Sequence, residues 1–260
     1  MLTPKQRALT PRSFDVIGDI LIFSDFPQEL VKKEKEIGKY LLQKFKHIKV
    51  IAKKTHFHSG RYRTKKIKII AGEKRKTTLH KESGVTLKVD VEKCYFSPRL
   101  SNERLRIAKQ VKKGEEILVP FSGICVYPLI IAKHAQPKEI VAIELNPLAH
   151  HYALENIFLN KARTIQCLKG DVEKILPKIN KKFDRIIIPL PSDAQNYLEL
   201  VTKKLKKKGI LHFYTFLKKE DIEEKKKIAQ RFPQFTLLKI IKCGPFSPST
   251  YRVCIDLRLK

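Results

Sequence analysis

Residues 116–160 read EILVPFSGICVYPLIIAKHAQPKEIVAIELNPLAHHYALENIFLN, and they decide the fold. Two short runs in this stretch, Glu116 to Phe121 and Glu139 to Glu144, are almost wholly apolar and carry no polar alternation. Strands of that kind are covered on both faces. Each is followed by a longer segment of helical character. One runs from Cys125 to Ala135. The other starts at Pro147, where a proline suits the first helical position, and runs to Asn160. The alternation continues downstream. Strands are predicted at Thr164 to Leu168, Arg185 to Leu190 and Ile210 to Phe216, and helices at Ala194 to Lys206 and Lys219 to Phe232. Repeated strand–helix units of this type build a parallel sheet with helices on both faces. Two closing strands, Thr236 to Lys242 and Tyr251 to Leu257, are joined by a Gly/Pro/Ser loop and are expected to form an antiparallel edge. A helix from about Asn102 to Val111 leads in. The expected class is α/β, a Rossmann-like doubly wound and mostly parallel sheet over residues 95–260.

Upstream the pattern differs. The first dozen residues read as a loose arm. Phe14 to Phe23 reads as two short strands or one bent strand, and Pro27 opens a helix from Gln28 to Phe45. Short strands follow at Lys49 to Lys53 and Ile67 to Ala71. A hairpin pattern over Thr77 to Val91 turns at Ser83-Gly84. Residues 1–94 are therefore expected to form a small, basic α+β domain that contacts RNA.

Charge narrows the partner. Lysine and arginine total 55 against 26 acids, a formal net charge of +29. Such an excess opposes compaction unless a polyanion offsets it. The bases are spread along the chain rather than gathered on one amphipathic helix, which favours nucleic acid over a membrane surface. No run of 18 apolar residues is present and the N-terminus has no apolar leader core, so no membrane partner is expected. Cys94, Cys125, Cys167, Cys243 and Cys254 are widely spaced and form no CxxC pair. They read as reduced thiols rather than zinc ligands or disulfides.

In open α/β sheets the ligand sits outside the carboxyl ends of the strands. Three predicted strand ends are chemically informative: Phe121-Ser122-Gly123, Glu144 before Leu145-Asn146-Pro147, and Gly170-Asp171 before Val172. Glycine admits close backbone approach. A carboxylate at Glu144 suits both hydroxyls of a ribose, and Asp171 is placed to reach an adenine amino group. The GxGxxG fingerprint is absent, which sets S-adenosylmethionine ahead of a dinucleotide. The alternative for Glu144 is that it only caps the helix opening at Pro147.

YFSPRLSNERLRIA (95–108), LVPFSG (118–123), AIELNP (142–147), ALENIFLNK (153–161), KGD (169–171), DRIIIPLPSDAQNYL (184–198), HFYTF (212–216) and YRVCIDLRL (251–259) together resemble the archaeal and eukaryotic tRNA (guanine(37)-N1)-methyltransferase family. SFDVIGDILI (13–22), GRYRTKKIKIIAGE (60–73) and TLHKESG (78–84) resemble the small domain that precedes its catalytic domain. The resemblance begins near residue 12, so a further N-terminal domain of many members is expected to be missing.

The resemblance implies a class I methyltransferase that uses S-adenosyl-L-methionine on tRNA, as a cytoplasmic monomer. It implies Glu103 as the base that takes the proton of guanine N1 and Arg63 as the group that offsets charge on guanine O6. It places Tyr95, Arg104, Phe121, Gly123, Glu144, Leu145, Asp171, Val172 and Pro189 around the cofactor and Pro191 against the target base. Three positions depart from the family. Val119 stands where an aspartate usually closes the first strand, and Cys125 where a second glycine is usual. Pro189-Leu190-Pro191 replaces an Asn-Leu/Pro-Pro loop, so the asparagine amide is lost. Those departures keep two other readings open: an aminocarboxypropyl transferase of wybutosine-type modification, and a tRNA-binding paralogue without catalysis.

Overall fold

The computed structural model describes residues 11, 13–55, 60, 62 and 64–260. The expected N-terminal arm and the role given to Arg63 therefore lie outside the described residues. The chain divides into two compact units, residues 1–82 with 86–98, and residues 83–85 with 99–260.

The small unit is built on the hairpin of β1 (Phe14–Ile17) and β2 (Ile20–Phe23), which turns at Gly18 with φ 57°. Phe14 to Phe23 is thus two strands. A 3-10 turn (Gln28–Lys33) leads into helix α1 (Glu34–Lys44), so the segment predicted as one helix starts with a tighter turn. With β3 (Val50–Lys54) and β4 (Ile67–Gly72) the sheet order is β1-β2-β3-β4, with β2 and β3 parallel. Leu30, Ile37 and Leu41 pack on Leu21, Phe23 and Ile51. β5 (Thr77–Glu82) and β6 (Val85–Asp90) pair as the predicted hairpin.

The large unit opens with helix α2 (Ser101–Ala108). Then come β7 (Glu116–Pro120), α3 (Val126–His134), β8 (Glu139–Glu144), α4 (Pro147–Leu159), β9 (Ile165–Lys169), α5 (Val172–Ile175) and β10 (Phe183–Ile188). They are followed by α6 (Leu198–Thr202), β11 (Leu205–Lys218), α7 (Lys219–Glu223), α8 (Lys225–Gln230), β12 (Phe235–Ser247) and β13 (Thr250–Leu259). The seven-stranded sheet has the order β12-β13-β11-β10-β7-β8-β9. β7 to β11 are mutually parallel, and β13 runs antiparallel between β11 and β12. Chain order reverses between β7 and β10, the switch point at which such sheets form their crevice. One face of β11 and β13 carries Leu211, Phe213, Val253, Ile255 and Leu257 into the apolar core with Phe232.

Two predicted elements differ. The helix expected over Ala194 to Lys206 is a 3-10 turn (Ala194–Tyr197) and the short α6, and β11 begins at Leu205, paired with Phe183. The lysine run 203–208, expected at a helix end, thus enters a strand. Lys206 pairs with Glu116 at 2.9 Å and Asp184 at 3.0 Å, acids at the start of β7 and near the start of β10. Those partners come from strands remote in sequence. β10 stops at Ile188 because Pro189 has no N–H to give the ladder. All five cysteines are free, and Cys94, Cys125 and Cys254 are buried. Among the described residues no helix is long and apolar enough to cross a membrane.

Candidate active site

The carboxyl ends of β7, β8 and β9 are tied together around Glu144. Its Oε2 accepts the Gly123 N–H at 2.7 Å and its Oε1 the Asn146 N–H at 2.7 Å. Its backbone carbonyl accepts the Gly170 N–H at 2.9 Å, and Ser122 N–H bonds to the Ile143 carbonyl at 3.0 Å. Burial pushes the Glu144 carboxyl above its usual range, against the pull of the N–H groups of Asn146, Gly123 and Leu145. Capping of α4 falls to Asn146, whose side chain accepts from the Leu148 and Ala149 N–H groups. Glu144 is therefore not the helix cap; it is held at the strand end by the turns on either side. The turn it grips is strained. Phe121, Gly123 and Cys125 all have φ near +60°, at 59°, 59° and 63°. At Cys125 a left-handed backbone accounts for the glycine usual there in the resembling family.

Asp171 caps α5, accepting the Glu173 N–H at 3.0 Å, with Val172 buried behind it. Phe121 meets Tyr197 edge-on at 4.7 Å between ring centroids, which brings the segment after Pro191 against the end of β7. Pro189 and Leu190 are half-buried and Pro191 is buried. Phe121, Gly123, Glu144 and Leu145 thus gather at the switch point with the turn bearing Asp171. Tyr95 is half-buried in the last segment of the small unit.

Glu103 lies on a helix of the same unit. It is buried on α2, 6% exposed, and grips Arg106 through both oxygens at 2.7 and 2.8 Å. The Tyr214 hydroxyl donates to its Oε1 at 2.6 Å, and Tyr127 donates to Tyr214 at 3.0 Å. Tyr214 is the residue after Phe213, which pairs with Ile188, so it stands level with Pro189 at the carboxyl end of β10. Arg106 also reaches both oxygens of Asp256, at 2.7 and 3.2 Å, and Asp256 contacts His212 Nδ1 at 2.7 Å. His212, Cys254 and Asp256 bring donor atoms within 4.8 Å of one another. Two guanidinium groups, Arg106 on Asp256 and Arg185 on His212, already supply the positive charge there, so the donor set does not suit a cation. Arg104 is buried beside Glu103. Sequence reasoning missed Arg106, Tyr127, Tyr214, His212 and Asp256. The available signal was a set of polar residues interrupting the apolar strands ILHFYTF and YRVCIDL.

Residues 78–237 match the TRM5/TYW2 methyltransferase domain, and residues 1–76 match the TYW2 N-terminal domain. The chain belongs to the TRM5/TYW2 methyltransferase family. Its relatives in this family differ in activity. It is 35% identical to the tRNA (guanine(37)-N(1))-methyltransferase Trm5b of Pyrococcus abyssi, over 97% of this chain and 76% of that protein. It is 33% identical to the tRNA 4-demethylwyosine(37)-methyltransferase Taw21 of Saccharolobus solfataricus, over 95% and 94%. It is 28% identical to a tRNA(Phe) (4-demethylwyosine(37)-C(7)) aminocarboxypropyltransferase of Methanocaldococcus jannaschii, over 95% and 98%. The crystal structure of Methanocaldococcus jannaschii Trm5 in complex with adenosine superposes with a TM-score of 0.81 at 30% identity, covering 98% of this chain and 76% of that one. The TRM5/TYW2 fold thus accounts for both units.

Proposed function

We propose that this TRM5/TYW2 protein is a tRNA (guanine(37)-N1)-methyltransferase that uses S-adenosyl-L-methionine and works as a cytoplasmic monomer. The observation that carries the reading is the Glu144 carboxylate, fixed at the switch point by backbone N–H groups, with Gly123 on Oε2 and Asn146 on Oε1. Each carboxylate oxygen accepts more than one hydrogen bond, so Glu144 takes the two ribose hydroxyls of the cofactor without releasing its tethers. The donor set fits an adenosine: an acid for the ribose, an acid on the next strand end, Asp171, for the adenine amino group, and apolar Leu145 and Val172 for the ring. The left-handed backbone at Phe121 and Gly123 lets the chain pass close to the ligand. Tyr95, Arg104 and Pro189 are the other residues assigned to the cofactor in this reading.

S-adenosylmethionine, when bound, supplies an electrophilic methyl group. The protein's task is the nucleophile. Guanine N1 is a poor nucleophile while protonated; Glu103 takes that proton, and Arg63 offsets the charge that then develops on O6. Pro191 packs on the base. Positioning supplies the rest.

The test is methylation of a tRNA transcript with G37, with an A37 transcript as control and Glu103→Ala as the inactive comparison. The expected product is 1-methylguanosine from G37 alone. Absence of both product and cofactor binding by calorimetry would sink the reading. Pro189-Leu190-Pro191 favours a second one, because it offers no asparagine amide to hold a guanine. In it, the acceptor is 4-demethylwyosine at the same position and the group moved is aminocarboxypropyl or methyl. Product mass on tRNA bearing either base separates the two.

A further inference from the structure

The hydrogen bonds beneath Glu103 form one continuous chain, and each link has a fixed direction. Tyr127 donates to Tyr214, and Tyr214 donates to Glu103. Burial raises both phenols' pKa values, so both remain donors. Arg106 donates to both oxygens of Glu103 and both of Asp256. At the far end Arg185 Nη1 lies 2.7 Å from His212 Nε2. A guanidinium only donates, so Nε2 accepts and the single ring proton sits on Nδ1, given to Asp256. Burial also lowers the His212 pKa, which keeps the ring neutral. Arg185 is itself anchored by Glu115 at 2.7 Å.

The charges along this chain are informative. Arg106 stands between two carboxylates. Burial opposes its charge, but the hydrogen bonds it donates to Glu103 and Asp256 outweigh burial and hold it protonated. Asp256 stays ionised, since bonds to His212 and Arg106 overcome its burial. The other groups facing this cluster are Arg104 on α2, Cys243 on β12, and Cys254 and Arg252 on β13. Burial pushes Cys243 up to about 12 and raises Cys254 well above the thiol range, so both thiols are neutral. Were Glu103 the sole counter-ion of Arg106, the full guanidinium field would oppose its protonation. Asp256 divides that field.

We propose that Asp256 is a positioning residue for Glu103: by sharing Arg106 it leaves the Glu103 carboxylate fixed in place yet able to accept a proton. Tyr214 sets the same carboxylate from the other side, and His212 with Arg185 holds Asp256. This rests on the reading of Glu103 as the base.

The experiment uses the full chain with Asp256→Asn, Tyr214→Phe and Glu103→Gln. Single-turnover methylation at saturating G37 transcript and cofactor is followed against pH, and 15N-histidine NMR is recorded on the cofactor-free protein. Glu103→Gln abolishes turnover if Glu103 is the base; retained turnover overturns that reading, and the positioning role with it. With Glu103→Gln inactive, Asp256→Asn is expected to slow turnover roughly tenfold or more, with the transcript KM within about twofold. Its acid limb moves to lower pH. Tyr214→Phe removes a donor and moves that limb to higher pH. A purely structural role gives no such opposition, so shifts in one direction, or none, overturn the proposal. If Asp256→Asn does not fold, Arg106→Lys, whose ammonium lacks the fork to hold both carboxylates, is expected to show the same loss of turnover. Unchanged turnover there counts against it. The wild-type NMR spectrum needs no variant: His212 is expected as the neutral Nδ1–H tautomer, and an Nε2–H tautomer overturns the chain of donors.

Discussion

The Glu144 carboxylate holds the turn after β7 through its backbone tethers, and in the proposed reading the same oxygens take a ribose. Glu144→Ala should therefore weaken S-adenosylmethionine binding by about 10- to 100-fold, since hydrogen bonds to a charged group contribute about 1.5–3 kcal/mol each. Titration calorimetry on wild type and variant checks this, and unchanged affinity would remove Glu144 from the site. His212 gives a pH prediction. Burial lowers its folded pKa below the ordinary 6.5, so the unfolded chain binds the extra proton first. The stability it contributes is present above pH 6.5 and is lost as pH falls below it. The difference in melting temperature between wild type and His212→Gln should shrink as pH is lowered from 7 to about 5. A constant difference would mean that His212 does not titrate in this way. Glu144 was legible from local sequence because a strand-end acid before Asn-Pro needs no distant partner. Asp256 was not legible, because its partner Arg106 lies 150 positions away and the pairing appears only once β13 enters the sheet.

At the scale of elements, the apolar strands were readable where covering helices leave them no polar face. β8 spans Glu139–Glu144, the same residues that its composition predicts. The segment 194–206 was not readable. Its apolar spacing suits a helix, yet the register of β10 and β11 takes Leu205 onward into the sheet, where the acids at Glu116 and Asp184 meet Lys206. The turn after β9 carries another prediction. Gly170 has φ 149°, and a Cβ there would lie 2.9 Å from Ile175 Cγ1. Gly170→Ala should destabilise the protein by about 1–3 kcal/mol and displace Asp171, weakening cofactor binding. Thermal unfolding together with calorimetry tests both effects, and a variant as stable as wild type would refute the strain argument.

On the whole-molecule scale the net charge of +29 governs association with tRNA. Each phosphate neutralised releases counterions, so binding weakens steeply with salt. The tRNA dissociation constant of the full chain should rise about a thousandfold or more between roughly 50 and 200 mM salt. Filter binding across that range decides it, and a shallow slope would show that the lysines are mostly a solvated surface. The position of β13 has a consequence for how the protein is made. This strand follows both of its neighbours in the chain yet lies between them in the sheet. While a nascent chain is being extended, β11 therefore waits with one edge bare, a template for unwanted strand pairing. The same ten residues, Thr250–Leu259, close that edge and bring in Asp256, the partner of Arg106. A copy that ends before Thr250 thus lacks the Asp256 partner of Arg106 and keeps that edge open to pairing with another chain.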